Sequence, residues 1–259
     1  MSPTALIAKG DSQRLTTIVP IAYSILLSYE TFNRMDSEKS RGNPESPLQS
    51  ALDFLRESLG AVPPSGRSRR WSFQHEVVIF AEWATRLGYC LSEDFLQQFK
   101  PVSSGAEHEV FFDQFSQCAI KVTRDGRFGH SLIGEGQSAL PSEYLQRLIH
   151  HNQIFGDNIL LQGILATEGN VRIVTSQPWI AENGALADIT EADVVEYFES
   201  LGFQKSSVAD VAAFYNKELD LMVLDANLKN ILRDFTGKLF PIDVVVGKPG
   251  SEIFERFGF

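Results

Sequence analysis

Cysteine is almost missing from this chain. Cys90 and Cys118 are too few for a disulfide framework and suit a reducing compartment, so a cytoplasmic protein is expected. No Cys/His cluster has zinc spacing, and the adjacent pair His150–His151 falls on an expected helix, where it reads as solvent-facing. Positive charge is also short: 23 Lys and Arg against 33 Asp and Glu, a formal net charge of −10. That balance argues against a general nucleic-acid or membrane-surface binder, since both surfaces are anionic. Arg67, Arg69 and Arg70 form the one dense basic patch, and without interleaved aromatics it reads as a solvated loop. The apolar segment Leu15–Leu27 is shorter than the roughly 20 residues of a membrane span and is interrupted by Pro20. With no small-residue cleavage site after it, the segment reads as a buried helix rather than a secretion signal. GxxxxGK[ST] does not occur, which excludes the P-loop class.

What is present is enough for a real core: 259 residues, 43% of them hydrophobic. Residues 1–37 read as helix-rich and 38–47 as a loop or linker. Pro47 opens a helix whose Leu48, Leu52, Leu55 and Leu59 recur at helical spacing, and Gly60 closes it. A second breaker-rich loop, 61–70, leads to an expected helical pair over 71–99, with Phe80, Trp83 and Leu87 on a core face. Near residue 100 the character changes. Two short strands are expected around DQFSQ, at Val110–Phe112 and Cys118–Val122. Lys121 lies on the opposite strand face from Ile120 and Val122, either reaching across a cleft as a cation or standing in water at an edge. Before it, SSGAEHEV has small residues and one glycine, Gly105, a weak form of a loop whose amides approach phosphate oxygens. A glycine-rich loop over 125–140 precedes the helix PSEYLQRLIHHNQIF. Glu143 sits in its first turn, where it serves the helix dipole or faces Lys121. Two strands joined by TEGN follow, then a helix capped by Thr190, then a strand or turn and a short helix within 203–218.

The stretch Leu219–Val246 carries the densest chemistry. Asp225 follows an apolar run, Asn230 comes five positions later, and the turn DFTGK leads to a second acid, Asp243. Two carboxylates and an amide at one end of a hairpin suit a metal-bound phosphate, because Mg²⁺ takes few protein oxygens and completes its shell with phosphates and water. Solvated acids flanking a plain hairpin are the alternative, since Asp and Asn favour turns.

Taken in order, GAEHEV (105–110), AIKVT (119–123), PSEYLQRL with HNQIF (141–155), LQG (161–163), DANLKN (225–230) and PID (241–243) resemble the protein-kinase fold. The wording is most similar to the compact serine/threonine/tyrosine kinase domains of phage and mobile-element polyvalent proteins, over about residues 70–250. The resemblance implies an α+β fold with a β-rich N-lobe (about 100–178) and a much reduced C-lobe (about 179–259). Together they form a domain over 71–259, behind a helical extension over 1–70. It implies an ATP- and Mg²⁺-dependent phosphotransferase acting on a protein or small-molecule hydroxyl. Lys121 would hold the α- and β-phosphates and pair with Glu143. Asp225 would orient the acceptor hydroxyl, and Asn230 and Asp243 would bind Mg²⁺. Gly105, Thr175, Gln177 and Trp179 would border the nucleotide. Three features depart from the family pattern. Val223–Leu224 replace the usual His-Arg, Asp243-Val244-Val245 lacks the glycine of a flipping motif, and little chain follows Asp243 for an activation segment. A nucleotide-binding pseudokinase or interaction module, or AMP transfer on the same scaffold, are the alternatives. A regulator or antitoxin-like partner for the N-terminal helices is a further expectation.

Overall fold

The computed structural model describes residues 46–60, 69–134, 136–167, 170–181, 188–208 and 211–259. The expected helix at Leu15–Leu27, the loop 38–45, the loop 61–68 with Arg67, and the tip of the TEGN turn lie outside these residues.

Helix α1 (Pro47–Leu59) forms where the spacing places it. Ser46 Oγ accepts from Gln49 N at 3.2 Å, Pro47 takes the first turn, and Leu48, Ala51, Leu52 and Leu55 form the buried stripe. Helix α2 (Arg69–Leu87) buries Phe80 and Trp83, but Leu87 is 56% exposed, because Gly88 ends the helix at φ 76° and the chain turns away. The second member of the expected pair is only a 3₁₀ segment, Glu93–Gln98. Arg69 is no solvated loop residue either; it donates to Ser138 O and pairs with Glu143 at 2.6 Å.

Strands β1 (Lys100–Ser104), β2 (His108–Asp113), β3 (Cys118–Thr123), β4 (Leu160–Thr167) and β5 (Asn170–Pro178) make one antiparallel sheet in the order β1-β2-β3-β5-β4. Between β3 and β4 runs helix α3 (Pro141–Phe155), opened by Pro141 and closed by left-handed Gly156. The sheet, α1, α2 and α3 share one core containing Leu52, Leu55, Phe80, Trp83, Leu145 and Ile164.

Helix α4 (Glu191–Ser200) starts at its expected cap, Thr190. Beyond it, β6 (Gln204–Lys205), β7 (Phe214–Asn216), β8 (Leu221–Leu224) and β11 (Val245–Gly247) form a second sheet in the order β11-β8-β7-β6. The short helix expected within 203–218 is replaced, among the described residues, by the β6–β7 pairing. Strands β9 (Ile231–Arg233) and β10 (Leu239–Pro241) are the expected hairpin around DFTGK, and a short helix, α5 (Ser251–Arg256), closes the described chain. Phe155 from α3 joins Phe198, Phe214 and Val223 in a second core, so α3 contributes to both. No helix among the described residues is long and apolar enough to cross a membrane.

Candidate functional site

Asp225 leaves β8 in a left-handed backbone conformation, φ 59°, which turns the chain out of the ladder. A 3₁₀ turn over Leu228–Asn230 then brings Asn230 back beneath it. The Asn230 amide donates to Asp225 Oδ2 at 2.9 Å and to its backbone oxygen at 2.8 Å, and Asn227 donates to Oδ1. Asp225 itself is exposed, whereas Asn230 is buried. Its lone acidic side chain is thus oriented by two amides while remaining open to an incoming group.

The hairpin returns the chain to the same place. Ile242 N donates to Asn230 O at 2.9 Å, and Ile242 O accepts from Lys121 Nζ at 2.5 Å. Asp243, the next residue, therefore stands between the 225–230 loop and the lysine of β3. Lys121 faces Thr175 across the β3–β5 ladder, and Ala119 faces Gln177. Burial pushes the Lys121 ammonium below its ordinary value, against the pull of Asp243 and Asp157. Partial burial pushes the half-exposed Asp243 carboxyl upward. The hydrogen bond from His108 and the charges of Lys121, His108 and Arg147 outweigh it and hold the carboxyl well below the usual range. An ionised carboxylate and a side-chain amide oxygen are donor types that suit Mg²⁺, so Asp243 and Asn230 fit the metal role by their chemistry.

Glu143 does not meet Lys121. It sits at the third position of α3, where Oε2 accepts from Leu140 N at 3.1 Å and pairs with Arg69. At 3.6 residues per turn, the α3 face toward Lys121 is instead Tyr144, Arg147, Leu148 and His151. The expected ion pair is thus replaced by a helix face without a carboxylate. His151, expected in solvent, is buried and engaged at both ring nitrogens, with Asp157 at 2.8 Å and Val244 O at 2.9 Å. His151 belongs to the site although sequence reasoning missed it; the i, i+3, i+7 spacing of Tyr144, Arg147 and His151 is the signal that was there to use.

Gly105 lies in the β1–β2 turn with its amide already given to His108 O at 2.8 Å. Its φ is ordinary and an added Cβ would meet only that oxygen, at 3.6 Å, so geometry does not demand glycine there. What this turn presents to the site is side chains. His108 contacts Tyr144 Oη at 2.9 Å and Asp243 Oδ1 at 3.5 Å, and Glu107 pairs with Arg147. Trp179 stands apart, its ring 4.9 Å from Phe112 and its amide bonded to Gln117 O.

The space enclosed by Lys121, His108, Tyr144, Arg147, Thr175 and Asp243 is about 20 Å³, room for one water. A larger groove of about 600 Å³ runs along the other side of the loop, lined by Val194, Lys205, Phe214, Asn227 and Lys229.

A family model described as a serine/threonine/tyrosine kinase found in polyvalent proteins matches residues 74–247, more than half of the chain. No curated protein matches it.

Proposed function

The chain belongs to this family of kinases, and from that premise we propose that it moves the γ-phosphate of ATP to a hydroxyl on a protein or small-molecule acceptor, with Mg²⁺. The observation that carries the reading is one continuous set of contacts: Asp225 to the Asn230 amide, Asn230 O to Ile242 N, and Ile242 O to Lys121 Nζ, with Asp243 at the turn. In this reading the five-stranded sheet is the N-lobe and the β6–β11 region with α4 is a reduced C-lobe. Thr175 and Gln177, on the strand beside Lys121, border the nucleotide.

Each group has a physical task. Asp225, exposed and oriented by Asn227 and Asn230, accepts the acceptor's hydroxyl proton as the oxygen attacks the γ-phosphorus and the bond to ADP breaks. Lys121 neutralises charge on the phosphate oxygens. Asn230 and Asp243 would hold Mg²⁺, whose positive charge would offset the negative charge of the phosphates. The groove beside Asn227 and Lys229 gives the acceptor a place next to Asp225.

Incubation of the purified chain with γ-labelled ATP and Mg²⁺ tests this, beside Asp225→Ala and Asp243→Ala. Label is expected on wild type or on an added acceptor, and roughly 10²-fold or more weaker with either variant. Equal labelling by the Asp225→Ala protein would sink the assignment. ATP binding with no transfer to any acceptor would identify a nucleotide-binding module instead.

A further inference from the structure

We infer that Arg147 is a second phosphate-binding cation of the nucleotide site, for which the Glu107 carboxylate stands in while the site is closed. This rests on the nucleotide reading above.

Where the expected ion pair calls for a carboxylate facing Lys121, α3 presents a guanidinium. Arg147 is buried at 7% exposure and lines the same small cavity as Lys121 and Asp243. Its fork is filled by Glu107: Nη2 bonds Oε1 and Nη1 reaches Oε2 at 3.5 Å. Two parallel contacts to two oxygens of one anion is the geometry a guanidinium offers to carboxylate and phosphate alike. The Tyr144 ring lies 4.9 Å from the guanidinium carbon, so the arginine is held from its own helix and not by Glu107 alone.

Closure and occupancy of this pair are linked. A triphosphate cannot enter about 20 Å³, so His108, the first residue of β2 and part of the lining, must move with the turn before it for phosphates to reach Lys121 and Asp243. Glu107 is the last residue of that turn and the immediate neighbour of His108. Lifting His108 from Asp243 therefore draws Glu107 off Arg147. A buried guanidinium left without an anion is strongly unfavourable, and the arriving phosphates supply the replacement. Gly129 marks how closely this pair is packed: a Cβ there would lie 2.8 Å from Arg147 Nη1 and closer still to Glu107.

The test is calorimetric titration of the full chain with MgATP and with adenosine, for wild type, Glu107→Gln, Arg147→Met and the double variant. Removing the competing carboxylate should tighten MgATP binding by roughly tenfold, and removing the arginine should weaken it by at least as much. The Glu107→Gln gain should vanish in the double variant, and adenosine affinity should stay constant throughout. Glu107→Gln binding MgATP no more tightly than wild type overturns the proposal, making the pair a structural clasp. That variant keeps the guanidinium in place, so the result stands even where Arg147→Met fails to fold. Wild type binding adenosine but no MgATP overturns it as well; binding neither removes the nucleotide reading together with it.

Discussion

Glu76 shows how a single buried acid ties the helices together. It lies on α2 at 3% exposure and accepts from Ser142 N at 2.8 Å, holding the first turn of α3. Burial raises its carboxyl above the ordinary value; the Ser142 hydrogen bonds pull it down and neighbouring Glu143 pushes it further up. A folded-state value above the unfolded one favours the protonated acid in the fold. The stability this contributes is present below the unfolded value and is lost as pH rises through the folded one. Glu76→Gln keeps an acceptor for Ser142 without the charge. Its melting temperature should exceed that of wild type at pH about 8, and the gain should shrink toward pH about 4. An equal difference at both pH values would show that Glu76 is not the titrating group.

At the level of elements, α1 matters because of what it leans on. Leu48, Leu52 and Leu55 enter the core that also holds Tyr144, Leu145 and Leu148 of α3, and Arg56 donates to Gln146 at 2.6 Å. Leu55→Ala should cost about 2–5 kcal/mol in urea unfolding, and a loss below about 1 kcal/mol would mean that α1 is dispensable for the core. Such elements were legible in the sequence. Pro47, Gly60, Pro141 and Thr190 are local signals, and they set helix limits whatever packs alongside. The 225–243 hairpin was legible for the same reason, since Asp225, Asn230 and DFTGK are short-range features. Pairings between distant segments were not. The resemblance pairs Glu143 with Lys121, yet a rotation of about 100°, one residue's worth, decides which side chain faces the cleft. That rotation is set by Arg69 and Glu76, some seventy residues away. The same holds for His151 and Leu87: helical periodicity tells which residues share a face, not which face is covered.

Across the whole molecule, α3 is shared by two cores, with Leu145 and Leu148 in one and Phe155 in the other. The proposed nucleotide site lies against that shared helix, so a bound nucleotide braces both. At a hundredfold excess over Kd, MgATP bound there would add about 2.7 kcal/mol. In a domain of this size that is a rise in Tm of roughly 5–10 °C. Lys121→Met should abolish most of the rise in a thermal-shift measurement, and an unchanged rise would remove Lys121 from the phosphate site.

The ladder between β8 and β11 has a pharmacological meaning. Val245 pairs with Leu224, Val246 with Val223 and Gly247 with Met222, so the strand that follows Asp243 is sewn to the strand that precedes Asp225. The two acids sit at the same end of one ladder, like the jaws of a fixed caliper. Inhibitors that would work by prising the proposed metal-holding acid, Asp243, out of its cleft need slack behind it, and here the next residues are already hydrogen-bonded in a sheet. Compounds wedged between Glu107 and Arg147 would act instead on the proposed opening of the site.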